Sequence, residues 1–417
     1  MDRDGKIELL APAGDMERLK VAVNFGADAV YLGGTSFGLR AKAKNFDIAQ
    51  IGEAVEYCHL RGVKVFVTAN VFAHNSDFES MSDYFCQLQE IGADALIISD
   101  PGVFAVARRS VPNMEIHIST QANNTNYHSA LFWAELGASR VVLARELEFS
   151  EIREIDQKVG GKILLEAFVH GSMCIAYSGR CLLSAYFTGR DANRGHCAHV
   201  CRYQFAMTEE RRPNQYFPLA EDAGGGSYIL NSKDMCMIEY IPELVGSGLA
   251  SLKIEGRMKT PYYVAAVTKA YREAIDDFYA DPALYEAKKS HYMAEVSKSS
   301  HREFTTGFYL GEARRPDGQI YAGEGYVRTH EFLGIVKDYE PETCIATVEQ
   351  RGKFELGDHL EFLRAKGANF SQKIGHMTDS DGNLLQSAPH AQQILKIKVS
   401  EPVSPLDILR GEAKVWK

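Results

Sequence analysis

Through the first 260 residues one pattern recurs: an amphipathic stretch with apolar positions at helical spacing, a glycine, then a short apolar run. Gly26 precedes Ala29 to Leu32, Gly62 precedes Val63 to Val67, and Gly92 precedes Ala95 to Ile98. Gly137 precedes Val141 to Leu143, and Gly248 precedes Leu252 to Ile254. A glycine in that place suits the left-handed residue that closes a helix. An apolar run without alternation suits a strand covered on both faces. Further runs at Ile7 to Leu10, Glu115 to Ser119 and Ile163 to Phe168 bring the strands to eight. Helices are expected over Ile48 to Leu60, Met81 to Ile91 and Ala130 to Leu136. Eight βα units predict an α/β fold, a TIM-like (β/α)8 barrel of about 250 residues. The alternative is an open doubly wound sheet, but no glycine-rich dinucleotide loop follows the first strand.

The unit after strand seven is enlarged, so residues 171–245 are expected as an insertion on the barrel's active face. A helix is expected from about Pro261 to Tyr279. Beyond Tyr321 the pattern changes to short, alternating, turn-bounded runs such as Phe332 to Val336, Thr343 to Val348 and His359 to Leu363. The expected organisation is a barrel over 1–290, a linker or extended arm over 291–324, and a small C-terminal β-barrel over 325–417.

The chain has 417 residues, 45% hydrophobic and 24% charged, which excludes a disordered or fibrous protein. No apolar run reaches the roughly 18 residues that span a bilayer, so no membrane contact is expected. The opening Met1 to Lys6 lacks the layout of a signal peptide, and a cytoplasmic protein is expected. The net charge of -9 means that any nucleic-acid contact must come from a local patch.

The eight cysteines are unevenly placed. Cys174, Cys181, Cys197 and Cys201 share one window, with Cys236 a little beyond. Cys58, Cys86 and Cys344 stand alone and read as small core hydrophobes. Disulfides are not expected in a reducing compartment. Thiolates are soft ligands for zinc or iron–sulfur clusters. Close Cys-x2-Cys pairs, usual in zinc knuckles, are missing here. The spacing leaves cluster, zinc and unligated thiols open.

The run Glu166-Ala167-Phe168-Val169-His170-Gly171-Ser172-Met173-Cys174, continuing to Arg180-Cys181-Leu182-Leu183-Ser184, resembles the signature of family 32 of the peptidases of unknown catalytic type, the collagenase-like proteases. Leu10 to Gly14, Phe37 to Ala41 with Asn45-Phe46, Asn231 to Cys236, Leu252 to Arg257 and Thr305 to Phe308 fit as well. The resemblance spans residues 7 to about 310 and is weaker in the tail. It implies an RNA-hydroxylating branch that makes 5-hydroxyuridine at the tRNA wobble base, without molecular oxygen, with prephenate as the required metabolite. It also implies a 4Fe-4S cluster on Cys174, Cys181, Cys197 and Cys236, with Cys201 as an alternative ligand. Zinc could fill the same thiolates in an aerobic preparation. The implied partners are the tRNA anticodon loop and prephenate or a similar acidic metabolite, with room for a paralogous subunit or a second copy.

In such a barrel the loops after the strands share one mouth. Reading past each strand gives Arg40, Lys42 and Lys44, then Asn70, then Thr120, Gln121 and Asn123, then Arg145 and Glu146, then His170, and finally Glu255 and Arg257, with Lys253 inside strand eight. Candidate catalytic residues are His170, Glu146 and Glu255. Candidate substrate-binding residues are Arg40, Lys42, Asn70, Gln121, Asn123, Arg145, Lys253, Arg257 and, from the insertion, Arg194. Arginine suits carboxylate or phosphate because it offers two parallel hydrogen bonds. Packing roles compete at several positions: His170 reads more simply as a buried packing residue, and Arg145 and Glu146 as an ion pair. Glu166, inside strand seven, is expected to pair with Lys253 on the neighbouring strand. Between 180 and 212 six arginines stand against three acidic residues, interleaved with Tyr177, Tyr186, Phe187 and Tyr203. That mixture suits phosphate contact and base stacking on single-stranded RNA, or aromatics that simply roof the barrel.

Two other readings remain. A peptidase would need a nucleophile or metal, yet His-Glu-x-x-His and Gly-x-Ser-x-Gly are both missing, leaving only Cys197 with His196 or His199. A zinc-stapled RNA-binding protein without catalysis would use the same cysteines.

Overall fold

A computed structural model describes residues 5–38, 45–174, 176–177, 179–203, 206–209, 212–218, 232–311 and 326–414. Strands β1 (Glu8–Pro12), β2 (Ala29–Gly33), β3 (Lys64–Ala69), β4 (Ala95–Ile98), β5 (Glu115–Ile118), β6 (Arg140–Val142) and β7 (Leu164–Ser172) pair in parallel, each with the next. The insertion then contributes a hairpin, β8 (Ala206–Glu209) with β9 (Arg212–Pro218), and β10 (Asp234–Cys236). β11 (Ser251–Ile254) pairs in parallel with both β1 and β7 and closes the barrel. Helices α1 (Met16–Asn24), α2 (Ile48–His59), α3 (Met81–Glu90), α4 (Pro101–Ser110), α5 (Tyr127–Glu135) and α6 (Phe149–Val159) follow the first six strands along the chain. The expected eight-stranded barrel is therefore observed.

Local chemistry explains these elements. α2 begins with a capping box: Gln50 N–H donates to Asp47 Oδ1 at 2.8 Å, and Asp47 N–H donates to Gln50 Oε1 at 3.0 Å. The five repeated glycines all have φ between +68° and +104°. Gly248 shows what this position requires, since a Cβ there would lie 2.1 Å from Cγ of Asp156. β7 is longer than its apolar run suggests because Gly171, at φ +108°, lets the strand bend on toward Ser172. Its last residues pair antiparallel with β10, placing Cys236 opposite His170.

The barrel interior is part apolar, part charged. Leu10, Ala29, Tyr31, Phe66, Ala95 and Ile97 form one buried cluster. Beside it runs a buried ladder of alternating charge. Arg140 donates to Glu8 at 2.6 and 3.3 Å and to Glu166 at 2.9 Å, and Lys253 donates to Glu166 at 2.8 Å. Ser251 adds a bond to Glu8 at 2.7 Å. The pairing of Glu166 with Lys253 is the one read from the sequence. Burial alone would raise the Glu166 carboxyl, but Lys253 and Arg140 overcome it and hold it at about 2.

The chain divides into two compact units: Met1–Met16, Asp28–Met258 and Arg302–Tyr326 in one, and Glu17–Ala27, Lys259–His301 and Val327–Lys417 in the other. In the first, α7 (Leu183–Thr188) and α8 (Ile241–Val245) belong to the insertion, and β12 (Phe304–Thr305) pairs with β10. The second contains α9 (Pro261–Ala280) and α10 (Pro282–Ser297). The stretch read as a linker from residue 291 thus begins inside a helix. Asp281 caps α10 by accepting from Ala283 N–H at 2.9 Å, and Pro282 opens it. The same unit carries a seven-stranded antiparallel sheet, ordered β17-β16-β21-β13-β14-β20-β18, and a small pair, β15 with β19. These strands are β13 (His330–Glu340), β14 (Ile345–Gln350), β15 (Phe354–Glu355), β16 (His359–Leu363), β17 (Phe370–Lys373), β18 (Met377–Thr378), β19 (Ser387–Ala388), β20 (Ile394–Lys398) and β21 (Ile408–Glu412). They enclose a core that includes Val348, Phe362, Leu395 and Leu409. Fully buried Arg410 in this unit bonds Glu295 at 2.7 Å and Glu361 at 2.8 Å.

Of the three isolated cysteines, Cys58 is a buried core residue whose thiol burial pushes up to about 12. Cys86 and Cys344 are only half-buried, the latter in the turn between β13 and β14. No helix among the described residues is long and apolar enough to cross a membrane.

Candidate functional site

At the carboxyl end of the barrel strands the structure opens a cavity of about 200 Å³. Its floor is built by inward-facing strand residues Tyr31, Thr68, Phe168 and Lys253. The loops beyond add Asn70, Ser119, Gln121, Arg145, Glu255 and Arg257, and the cysteine loop supplies another wall.

Each polar group on the floor is held by a neighbour. Lys253 Nζ, tied to Glu166, lies 4.6 Å from the Tyr31 ring centroid and 5.4 Å from that of Phe168. Tyr31 Oη lies 3.0 Å from Glu255 Oε2 and 3.0 Å from the Ile254 carbonyl. Arg257 is buried and donates to Thr68 Oγ1 at 3.3 Å and Asn45 Oδ1 at 2.7 Å. Its guanidinium lies against the backbone of Gly33, where a Cβ would come within 2.2 Å of Nη2. Arg145 donates to the Ser172 carbonyl at 3.1 Å and sits over the Phe168 ring. Asn70 Nδ2 reaches Ser119 Oγ at 3.4 Å. Gln121 Oε1 is buried and has no hydrogen-bond partner among the described residues. A buried acceptor left in that state is costly unless a ligand or water completes it.

Asn70, Gln121, Arg145, Lys253, Glu255 and Arg257 thus meet at one cavity as expected from the sequence. Others do not. His170 is buried behind the cavity, its ring edge-on to Phe304 at 5.6 Å. Glu146 and Asn123 do not line the cavity. Burial raises the Glu146 carboxyl, with Arg145 only partly opposing it. Asn123 instead sits at φ +54° and donates to the Gln121 carbonyl at 3.2 Å. Arg194 points away to Asp77, at 2.9 and 3.2 Å, and to the Phe72 carbonyl at 2.7 Å, so it anchors the loop rather than facing the cavity. That contact holds the Asp77 carboxyl below the usual range. Arg40, Lys42 and Lys44 lie outside the described residues. The sequence reading missed Tyr31, Thr68 and Phe168 as site residues. Only Thr68, next to the last residue of β3, carried a positional signal, whereas Tyr31 and Phe168 lie at the middle of their strands.

Cys174, Cys181, Cys197 and Cys201 all line this cavity. Cys236 is buried on β10 beside the end of β7, the strand from which the loop departs. The loop is shaped by bonds between its own side chains and backbone. Asn193 Nδ2 donates to the Cys181 carbonyl at 3.1 Å, Arg190 to the Cys197 carbonyl at 3.2 Å, and Ala198 N–H to Ser184 Oγ at 3.0 Å. The Cys197 sulfur accepts from the His199 backbone N–H at 3.4 Å. Among the described residues no three His, Cys, Asp or Glu side chains stand close enough to hold one metal ion. A 4Fe-4S cluster makes a different demand, because each thiolate binds its own iron at a separate corner. Five soft donors at one end of the barrel fit such a group by donor chemistry.

Comparison with known proteins agrees with this architecture. The chain is 41% identical over 405 residues to tRNA hydroxylation protein P1 of Bacillus subtilis, covering 97% of this chain and 94% of that one. It is 35% identical over 424 residues to tRNA hydroxylation protein P of Escherichia coli, covering 92% of each. The 23S rRNA 5-hydroxycytidine C2501 synthase of Escherichia coli is 33% identical over 341 residues, 80% of this chain and 50% of that one. Residues 14–319 match the model of peptidase family U32, and residues 328–410 match that family's C-terminal domain. Barrel, cysteine loop and C-terminal sheet together make this chain a member of peptidase family U32.

Proposed function

We propose that the chain is an RNA hydroxylase acting on tRNA, converting the wobble uridine of the anticodon loop to 5-hydroxyuridine. The observation that carries this reading is the lining of the barrel cavity. A buried acceptor without a partner among the described residues, Gln121 Oε1, shares a small space with cationic donors and with four thiols. Uracil presents an imide N–H between two carbonyl oxygens. Gln121 accepts from that N–H, while Lys253 and Asn70 donate toward the carbonyls. Such a base must leave its stack to enter, as chemistry on a ring carbon requires. The relatives named for tRNA and rRNA hydroxylation support the same reading.

Converting a ring C–H to C–OH adds one oxygen atom and removes two electrons; no side chain supplies either unaided, so a co-substrate that gives up an oxygen atom and is itself reduced by two electrons must enter the same cavity. We place a 4Fe-4S cluster on Cys174, Cys181, Cys197 and Cys236, with Cys201 the alternative fourth ligand. When bound, such a cluster supplies reversible electron transfer. The chain's own residues do the rest. Lys253 is held on the cavity floor by its bond to Glu166 behind it. Arg257 and Arg145 orient the carboxylates of an acidic metabolite, prephenate or a similar one, by bidentate pairing. Glu255, fixed by Tyr31, is the carboxylate placed to take or hold a proton. Mass spectrometry of nucleosides from tRNA of a deletion strain without paralogues tests the reading. Loss of 5-hydroxyuridine, restored by the wild-type gene and not by Gln121→Leu, is the expected result. Unchanged 5-hydroxyuridine in the deletion strain would overturn it.

A further inference from the structure

The cysteine loop carries an aromatic surface that the cavity does not use. Tyr186 is 82% exposed, Leu182 74%, Tyr203 55%, Phe187 52% and Tyr177 49%. These side chains do not roof the barrel; they face solvent. Isolated exposed apolar residues are ordinary, but several large ones in a single short loop are not. Tyr186 and Phe187 stand edge to face, with ring centroids 5.2 Å apart and planes at 90°.

Their position along α7 connects them to the cavity. Leu183 and Ser184, at the start of this helix, line the cavity. Tyr186 and Phe187 follow Leu183 by three and four residues, so they lie on the same side of the helix one turn farther out. An apolar stripe therefore leaves the cavity and continues into solvent. The charge of the segment points the same way. Residues 171–203 contain Arg180, Arg190, Arg194 and Arg202 against Asp191 alone, in a chain of net charge -9. Arg180 is exposed. A cationic segment with protruding rings, continuous with a cavity sized for one base, matches single-stranded nucleic acid.

We propose that Tyr186 and Phe187 form a stacking platform for the RNA loop nucleotides that flank the base held in the cavity, with Arg180 on the backbone phosphate. This inference rests on the RNA reading above and adds the surface that would recognise the loop. Stacking on an aromatic side chain contributes about 1–3 kcal/mol per base, so losing both rings weakens binding by at least about tenfold.

The test uses the full chain and a fluorescein-labelled anticodon stem-loop RNA, with Kd read by anisotropy over a salt series. Tyr186→Ala/Phe187→Ala should raise Kd about tenfold or more and leave the slope of log Kd against log salt unchanged, because rings neutralise no phosphate. Arg180→Ala should weaken binding and reduce that slope by about one. Tyr186→Trp, which keeps a stacking face, should bind as wild type, an outcome that a merely structural role for the ring would not produce. All three positions are exposed, so thermal melting of the variants should match wild type. If the wild-type chain binds this RNA and the double alanine variant binds within about twofold of it, the platform is wrong while the RNA reading stands. If the double variant instead dissociates a dimer in sedimentation velocity with RNA affinity intact, the surface is an interface between copies and the proposal fails. A wild-type chain with no affinity for the RNA overturns both.

Discussion

Replacing Lys253 with methionine keeps the length of the side chain but removes its charge, leaving Glu166 completely buried against Arg140, which Glu8 shares. Removing one partner of a buried pair costs about 3–5 kcal/mol. Because Arg140 remains 2.9 Å from Glu166, the lower end, about 3 kcal/mol, applies. The depressed Glu166 carboxyl agrees in sign, since Lys253 and Arg140 together hold it down against burial. At roughly 2 °C per kcal/mol for a unit of this size, K253M should melt roughly 6 °C below wild type at neutral pH. The sign of the pH dependence follows from the depressed folded-state value. The stabilisation from ionised Glu166 is fully present above the unfolded value and is lost as pH falls toward about 2. In K253M the folded-state value rises, so its loss begins at higher pH. The gap between the two proteins should be constant from neutrality to about pH 5 and should close progressively below that. Thermal unfolding monitored by fluorescence, with hydrogen exchange of β7 and β11 amides to localise the effect, is the assay. In an E166Q background the same K253M change should cost no more than about 1 kcal/mol. An equal cost in both backgrounds, or a gap that does not depend on pH, would show that Lys253 acts through packing and refute the ion-pair argument.

Gly33→Ala would place a methyl 2.2 Å from the Arg257 guanidinium, displacing it at a cost of about 1–3 kcal/mol and lowering 5-hydroxyuridine in complemented cells to the level of Arg257→Ala. Oxygen-free purification with iron and acid-labile sulfide counted should show Cys174→Ser, Cys181→Ser and Cys197→Ser depleted of both, and comparing Cys236→Ser with Cys201→Ser identifies the fourth ligand by which of them loses iron. Arg194→Ala removes the contacts to Asp77 and Phe72; with the pair partly exposed the stability cost is about 1 kcal/mol or less, yet limited proteolysis within residues 174–203 should accelerate.

What the sequence made legible divides along a physical line. The barrel was readable because each strand is an apolar run too short and too uniform for anything but a doubly covered strand, and because each preceding glycine marks where a helix must stop. The floor of the site was readable only in part. Asn70, Gln121, Glu255 and Arg257 follow their strands directly, and a loop residue one or two positions past a barrel strand has nowhere to be but the mouth. Arg194 illustrates where that reasoning fails. It lies deep in a long insertion, where nothing local dictates direction, and Asp77, over a hundred residues earlier in the chain, captures it instead. His170 takes the packing role that the sequence already favoured over catalysis. It sits in a strand that continues past the expected end, so β10 pairs across it and buries the ring against Phe304 rather than releasing it to the mouth. Tyr31 and Phe168 were hidden by their own apolarity: counted as core, they are also the surfaces that flank the Lys253 ammonium. The same duality governs the aromatic residues of the cysteine loop. Composition could not say whether Tyr186 and Phe187 roof the barrel or face outward, since both uses take the same side chains. Only exposure separates the two, and exposure depends on how the loop folds back on itself through Asn193, Ser184 and Arg190. In a barrel with so long an insertion, the rigid part of the site is written in the strand ends, and the direction of the loop's exposed side chains is set by side chain–backbone contacts within that loop.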